Sequence, residues 1–179
     1  MKTKQIIQLV NILAWILFVV LCVEAGAIIV SSILRLAMPH HSGRLFKWAD
    51  LSALFEYDKG HFIALIIMIS MVTMLKAYLF FIVIKLMNDK TLTFSHPFNK
   101  KVNRFIFMGA ITAFFIGVFS KYGFEYATWL STKGLSLPDA AALKLDGAHV
   151  WLLMGIILFV IGLVFKRGIE LQQEHDLTV

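Results

Sequence analysis

Residues 6–34 read IIQLVNILAWILFVVLCVEAGAIIVSSIL. At about 1.5 Å per residue, a helix of this stretch crosses roughly 30 Å of hydrocarbon with residues to spare. Apolar side chains fall on every side of it, which places such a helix in a membrane or a very large core. A chain of 179 residues has no core of that size, yet 59% of it is hydrophobic and its mean hydropathy is +0.80. Three further runs of the same kind follow at 61–87, 102–121 and 147–165. None alternates with period two, as barrel strands would. The expected fold is all-α, an integral membrane four-helix bundle forming one domain over 1–179, with a polar tail at 166–179.

Lys2 and Lys4 ahead of an apolar run, and Ala25-Gly26-Ala27 within it, imitate a signal peptide and its cleavage site. Apolarity resumes at Ile28, Ile29 and Val30, so an uncleaved first span is expected. Cys22, the only cysteine, follows Leu21 rather than the small residue a lipidation site wants, and it excludes an internal disulfide framework. With four crossings, Lys2, Lys4, Lys85, Lys90, Lys100, Lys101, Arg104, Lys166 and Arg167 share one side. Arg35, Arg44, Lys47, Lys59, Lys121, Lys133 and Lys144 share the other. The cluster between spans two and three and the pair closing span four favour both termini in the cytoplasm. The net charge of +6 suits membrane lipids with anionic heads. No basic helix or aromatic-studded basic loop offers a direct nucleic-acid surface.

The outer loops, about 35–60 and 122–146, exceed what a tight connection needs. In the first, Leu45, Trp48, Leu51 and Phe55 recur at helical spacing among Lys47, Asp50, Glu56 and Asp58, which predicts a short amphipathic interfacial helix, an anchor or a lid. In the second, Tyr122, Tyr126 and Trp129 suit an aromatic belt, and Pro138-Asp139 can open a short helix through Leu143. Gly109, Ala113 and Gly117 form a small-residue ridge in span three, and Gly155 and Gly162 a second face in span four. Such ridges serve a helix of the same chain or of a second copy in a homo-oligomer; packing inside the chain is preferred.

Glu24 and Lys76 stand inside apolar spans, where a charge costs roughly 2.5–3.5 kcal/mol on translocon scales and is kept with a partner or a job. Counted from Leu34 and His61, their α-carbons lie about 15 Å and 22 Å below the outer boundary. A lysine side chain covers much of that difference. A cross-helix ion pair is therefore allowed, with Ser31, Ser70 and Thr73 beside it. It reads as a structural clamp first, and otherwise as a binding site or an ion relay. Lys76 alone can also snorkel.

His61 and His149 open spans two and four at matched depth, which would permit metal or axial haem ligation, and His40 and His41 follow span one. The spacing fits no standard metal motif, so no metal or other cofactor is assigned. The chain has no nucleophile elbow, His-Glu-x-x-His, phosphate-cradling glycine loop or paired thiol, and nothing is named as catalytic.

The last residues run Phe165-Lys166-Arg167-Gly168-Ile169-Glu170-Leu171-Gln172-Gln173-Glu174-His175-Asp176-Leu177-Thr178-Val179. By itself this is a solvated helix continuation, or a docking peptide. The pattern Phe-Lys-Arg-Gly, Glu-Leu-Gln, Glu-x-Asp and terminal Leu-Thr-Val, together with four spans and this length, resembles a family of small bacterial membrane proteins catalogued as domain of unknown function 2975. The resemblance covers the whole chain in layout and is specific over 165–179. It implies a four-span protein without established activity, often encoded beside a small helix-turn-helix transcription regulator. The protein would then be a membrane-side partner, sensor or sequestering anchor for that cytosolic regulator, with Arg167, Glu170, Glu174 and Asp176 as contacts. His175 stands where Asn is expected, so no contact needing that amide is carried over. A non-enzymatic regulatory role is the leading expectation; the alternative is a small carrier or immunity-type protein that binds a solute or peptide at its outer side.

Overall fold

The structure is a computed structural model that describes residues 3–37, 50–89 and 99–176. Within these, five helices follow one another: α1 (Thr3–Ala37), α2 (Ser52–Tyr57), α3 (Lys59–Met87), α4 (Lys100–Thr132) and α5 (Ala148–Asp176). Four of them, all but α2, are long and apolar enough to cross a bilayer, the signature of a multi-pass membrane protein. Helices satisfy their own backbone groups, which is what a water-free surrounding demands.

Residue contacts fix the register. Asn11 donates to Asn88 at 3.1 Å and Phe18 meets Phe81 at 6.0 Å, so α1 and α3 run antiparallel. His61 and Tyr126 lie side by side at one end of α3 and α4, and Leu79 lies near Gly109 towards the other. On α5, Leu152 abuts Gly117 and Gly162 faces Phe107, which reverses direction once more. The four long helices thus form an up-down series in which each packs on its neighbour in sequence. Among the described residues α1 makes no backbone-level approach to α4 or α5. The start of α1, the end of α3, the start of α4 and the end of α5 share one end, the terminal end; α2 and the 133–147 segment share the other, the loop end.

Small residues set the closest approach, between α4 and α5. A Cβ on Gly117 would stand 2.6 Å from Leu152 Cγ and 2.8 Å from its backbone nitrogen, and one on Gly155 would stand 2.9 Å from the Phe114 nitrogen. Ala113, between the two glycines of the α4 ridge, is fully buried. The ridge therefore meets a helix of its own chain. Gly109 is looser, with only ordinary contacts near 4 Å.

Two elements differ from expectation. The apolar run of span three ends at Lys121, but α4 continues to Thr132, because Ser120, Gly123, Ala127 and Leu130 extend the same buried stripe at three-to-four spacing. Tyr122, Tyr126 and Trp129 consequently sit on a helix, not in a loop. In the first long connection, Leu45 and Trp48 lie outside the described residues, while α2 turns Leu51 and Leu54 into the core and sets Phe55 edge-on against Phe62 at 5.2 Å. Its apolar side faces the protein. Ahead of this helix the Asp50 carboxylate accepts from the Ser52 nitrogen at 3.0 Å.

The core lies in the loop-end half, where Leu54, Leu65, Val72, Ile116, Leu130, Leu143 and Leu145 are fully buried together. Towards the terminal end α1 and α5 keep long apolar faces outward, which is the surface lipid would cover.

Candidate functional site

The segment 133–147 carries the site. It leaves α4 at Gly134 (φ +86°) and forms one helical turn beginning at Asp139, whose side chain accepts from the Ala142 nitrogen at 3.0 Å. The turn closes with two bonds, Leu145 N to Ala140 O at 2.9 Å and Lys144 N to Ala141 O at 3.0 Å. That pair of bonds is the Schellman ending, and its left-handed position is normally glycine. Here Lys144 occupies it, at φ 59°. A side chain in that region costs about 1–2 kcal/mol. The flanking Leu143 and Leu145, both 1% exposed, pin the segment in the core, with Leu145 against Gly123 of α4. Burying each from water contributes roughly 1.5–3 kcal/mol, enough to offset the strain.

Lys144 is thereby a hub. Its ammonium stands 3.3 Å from Glu24 Oε1 on α1, and its carbonyl accepts from the Lys76 ammonium on α3 at 3.1 Å. Lys76 also lies 5.8 Å from the Trp151 ring, in the first turns of α5. One strained residue therefore ties α1, α3 and the start of α5 together. The Glu24 and Lys144 side chains are 31% and 36% exposed, so the pair is not a dry one and contributes at the scale of a surface pair, up to about 1 kcal/mol.

The carboxylate of Glu24 pairs with Lys144 rather than with Lys76. Height is not the reason: the Asn11–Asn88 and Phe18–Phe81 contacts put Glu24 level with the Lys76 region of α3, closer than counting from the span ends suggests. Lys144 takes the carboxylate and offers Lys76 a carbonyl instead. Of the expected flanking hydroxyls, Ser31 donates to Ile28 O at 3.0 Å and Thr73 to Ile69 O at 3.0 Å, both within their own helices. The Ser70 Oγ is buried without a hydrogen-bond partner. None of the three joins the hub.

At the loop-end rim, His61 Nδ1 lies 2.6 Å from the Tyr126 hydroxyl and its ring is edge-on to Trp129 at 5.6 Å, which clips α3 to α4. Asp58 caps α3, accepting from the His61 nitrogen at 2.8 Å, and that backbone N–H holds the Asp58 carboxyl below its ordinary range. His149 does not share this level. With Leu152 against Gly117 and His61 against Tyr126, His149 lies about 9 Å deeper along α4. Among the described residues no group of three His, Cys, Asp or Glu side chains converges as a metal site.

The tail is a continuation of α5. Arg167 pairs with Glu170 at 3.1 Å, both outward, Glu174 is exposed, and Ile169 is buried. The Asp176 side chain and residues 177–179 lie outside the described residues. Sequence reading missed Lys144 and Trp151, because a lysine in a polar connection reads as solvated; the two leucines around Lys144 were the available signal.

Comparisons with protein-family models, curated proteins and solved structures return no match.

Proposed function

We propose that the protein is a non-enzymatic regulatory protein of a bacterial inner membrane, with both termini cytoplasmic, that relays the state of its outer 133–147 segment to a cytosolic partner. The observation that carries this reading is the direct continuity of hub and tail. Lys144 precedes α5 by a few residues, and α5 then runs unbroken for 29 residues, about 43 Å, to Asp176. A rigid helix that long transmits a shift at its start to its far end.

The placement of charge fits. A 30 Å slab begun at Arg104 ends about twenty residues on, near Phe124 of α4. That is the level of Leu145, which packs on Gly123. The 133–147 segment then rests at the outer boundary, its Lys144 ammonium reaching down to Glu24 while Lys76 reaches up from mid-depth. Breaking the Glu24–Lys144 contact frees α1 from this segment and is reversible, because the ion pair is worth little while Leu143 and Leu145 stay buried. The tail's resemblance to the domain of unknown function 2975 family supports a small helix-turn-helix regulator as the partner, bound through Arg167, Glu170, Glu174 and Asp176.

Co-purification tests this. The full chain captures the cytosolic regulator, and the chain truncated after Arg167 does not. Glu24→Gln changes the amount captured without reducing insertion. Capture by the truncated chain, or capture indifferent to Glu24→Gln, refutes the relay.

A further inference from the structure

A groove of about 320 Å³ runs between α1 and α3 in their loop-end halves, walled by residues such as Ile29, Ile33 and Leu36 on one side and Phe62, Ile66 and Met74 on the other. It is apolar apart from Ser32, whose hydroxyl is tied to Ile28 O at 2.7 Å, and Ser70. From Phe62 to Met74 it follows α3 for about 18 Å. One leaflet's hydrocarbon is about 15 Å deep. A second helix, about 10 Å across with its side chains, is too thick for such a volume, whereas a single acyl chain has the right length and girth.

The mouth of the groove carries charge. Phe55 of α2 packs edge-on against Phe62 of the groove wall. The Arg35 guanidinium lies 5.4 Å and the Lys59 ammonium 5.7 Å from the centre of that same Phe55 ring. Among the described residues no carboxylate pairs with either cation. Two like charges gathered at one end of an acyl-sized groove are complementary to an anion at that end.

We infer that this is a binding site for an anionic glycerophospholipid of the leaflet at the α2 end, one acyl chain lying in the groove and the phosphate held between Arg35 and Lys59. It is independent of the hub and of the tail. Zwitterionic lipid fills the groove as well but gains less at its mouth, since each basic residue near the surface favours an anionic head by about fivefold.

The test is native mass spectrometry of the full chain taken from vesicles of equal parts phosphatidylglycerol and phosphatidylcholine. The wild type retains phosphatidylglycerol in excess. Arg35→Gln with Lys59→Gln brings the ratio near unity, while Lys121→Gln with Lys133→Gln, which removes two charges elsewhere, leaves it unchanged. Ile66→Trp, which fills the groove, lowers retention of both lipids. Washing the wild type in about 1 M salt, where screening acts within about 3 Å, removes the preference without any substitution. Equal retention of the two lipids by the wild type, a preference that survives loss of both cations or high salt, or full retention by Ile66→Trp overturns the assignment.

Discussion

Lys144 holds a conformation that glycine would adopt freely, and this separates two substitutions that both delete its charge. Lys144→Ala removes the pair with Glu24, at most about 1 kcal/mol for side chains a third exposed. It keeps a Cβ at φ 59°, so the strain of about 1–2 kcal/mol persists. Lys144→Gly loses the same pair but sheds the strain, against about 0.5–1 kcal/mol for the greater freedom of glycine in the unfolded chain. The alanine variant is thus expected to fall about 0.5–1 kcal/mol below wild type, with the glycine variant about 0.5–1 kcal/mol above alanine and close to wild type. Unfolding of the detergent-solubilised protein, followed by titration with a denaturing detergent, reads the order. A glycine variant less stable than the alanine variant would show that Lys144 is not strained, or that its side-chain carbons pack in a way the Schellman ending does not capture.

Gly117→Ala and Gly155→Ala force Cβ atoms against the backbone of the facing helix and lower stability by about 1–3 kcal/mol; Gly26→Ala, with nothing within 4 Å, is neutral or gains up to about 1 kcal/mol. Thermal unfolding of the three variants side by side checks the contrast. Asp58, whose carboxyl is held below its ordinary value of 3.8 chiefly by the His61 backbone N–H, contributes stability that is complete above that value and is lost as pH falls through its lowered folded value. An acid titration of the melting temperature shows the loss, and Asp58→Asn, which keeps an acceptor without a titrating charge, flattens it. Leu145→Ala, emptying a fully buried site beside Gly123, costs about 2–5 kcal/mol and exposes the 133–147 segment to limited proteolysis.

The four long helices were readable because uninterrupted apolarity over twenty residues has few other uses. Their ends were not. The stripe through Gly123, Ala127 and Leu130 carries α4 on after its outer face turns polar at Lys121, and a hydropathy window sees only that face. The glycine ridge was visible as spacing, while its partner needed the register of α5. Glu24 and Lys76 stood out as charges in apolar runs, but the residue that joins them lies in a polar connection and is brought to them by the burial of Leu143 and Leu145. Long-range placement of a loop leaves little local trace, and the Schellman ending at Lys144 hides because its usual mark, glycine, is missing.

Proximity of Glu24 to Lys144 is the point on which the relay rests, and cysteine cross-linking measures it directly. In a Cys22→Ser background, which removes the native thiol two residues from the site, Glu24→Cys is paired with Lys144→Cys or with Lys76→Cys and treated in membranes with a short bifunctional thiol reagent. The predicted result is rapid cross-linking of positions 24 and 144, slowed by unseating the segment with Leu145→Ala. Rapid cross-linking of 24 to 76 with none to 144 would contradict the account.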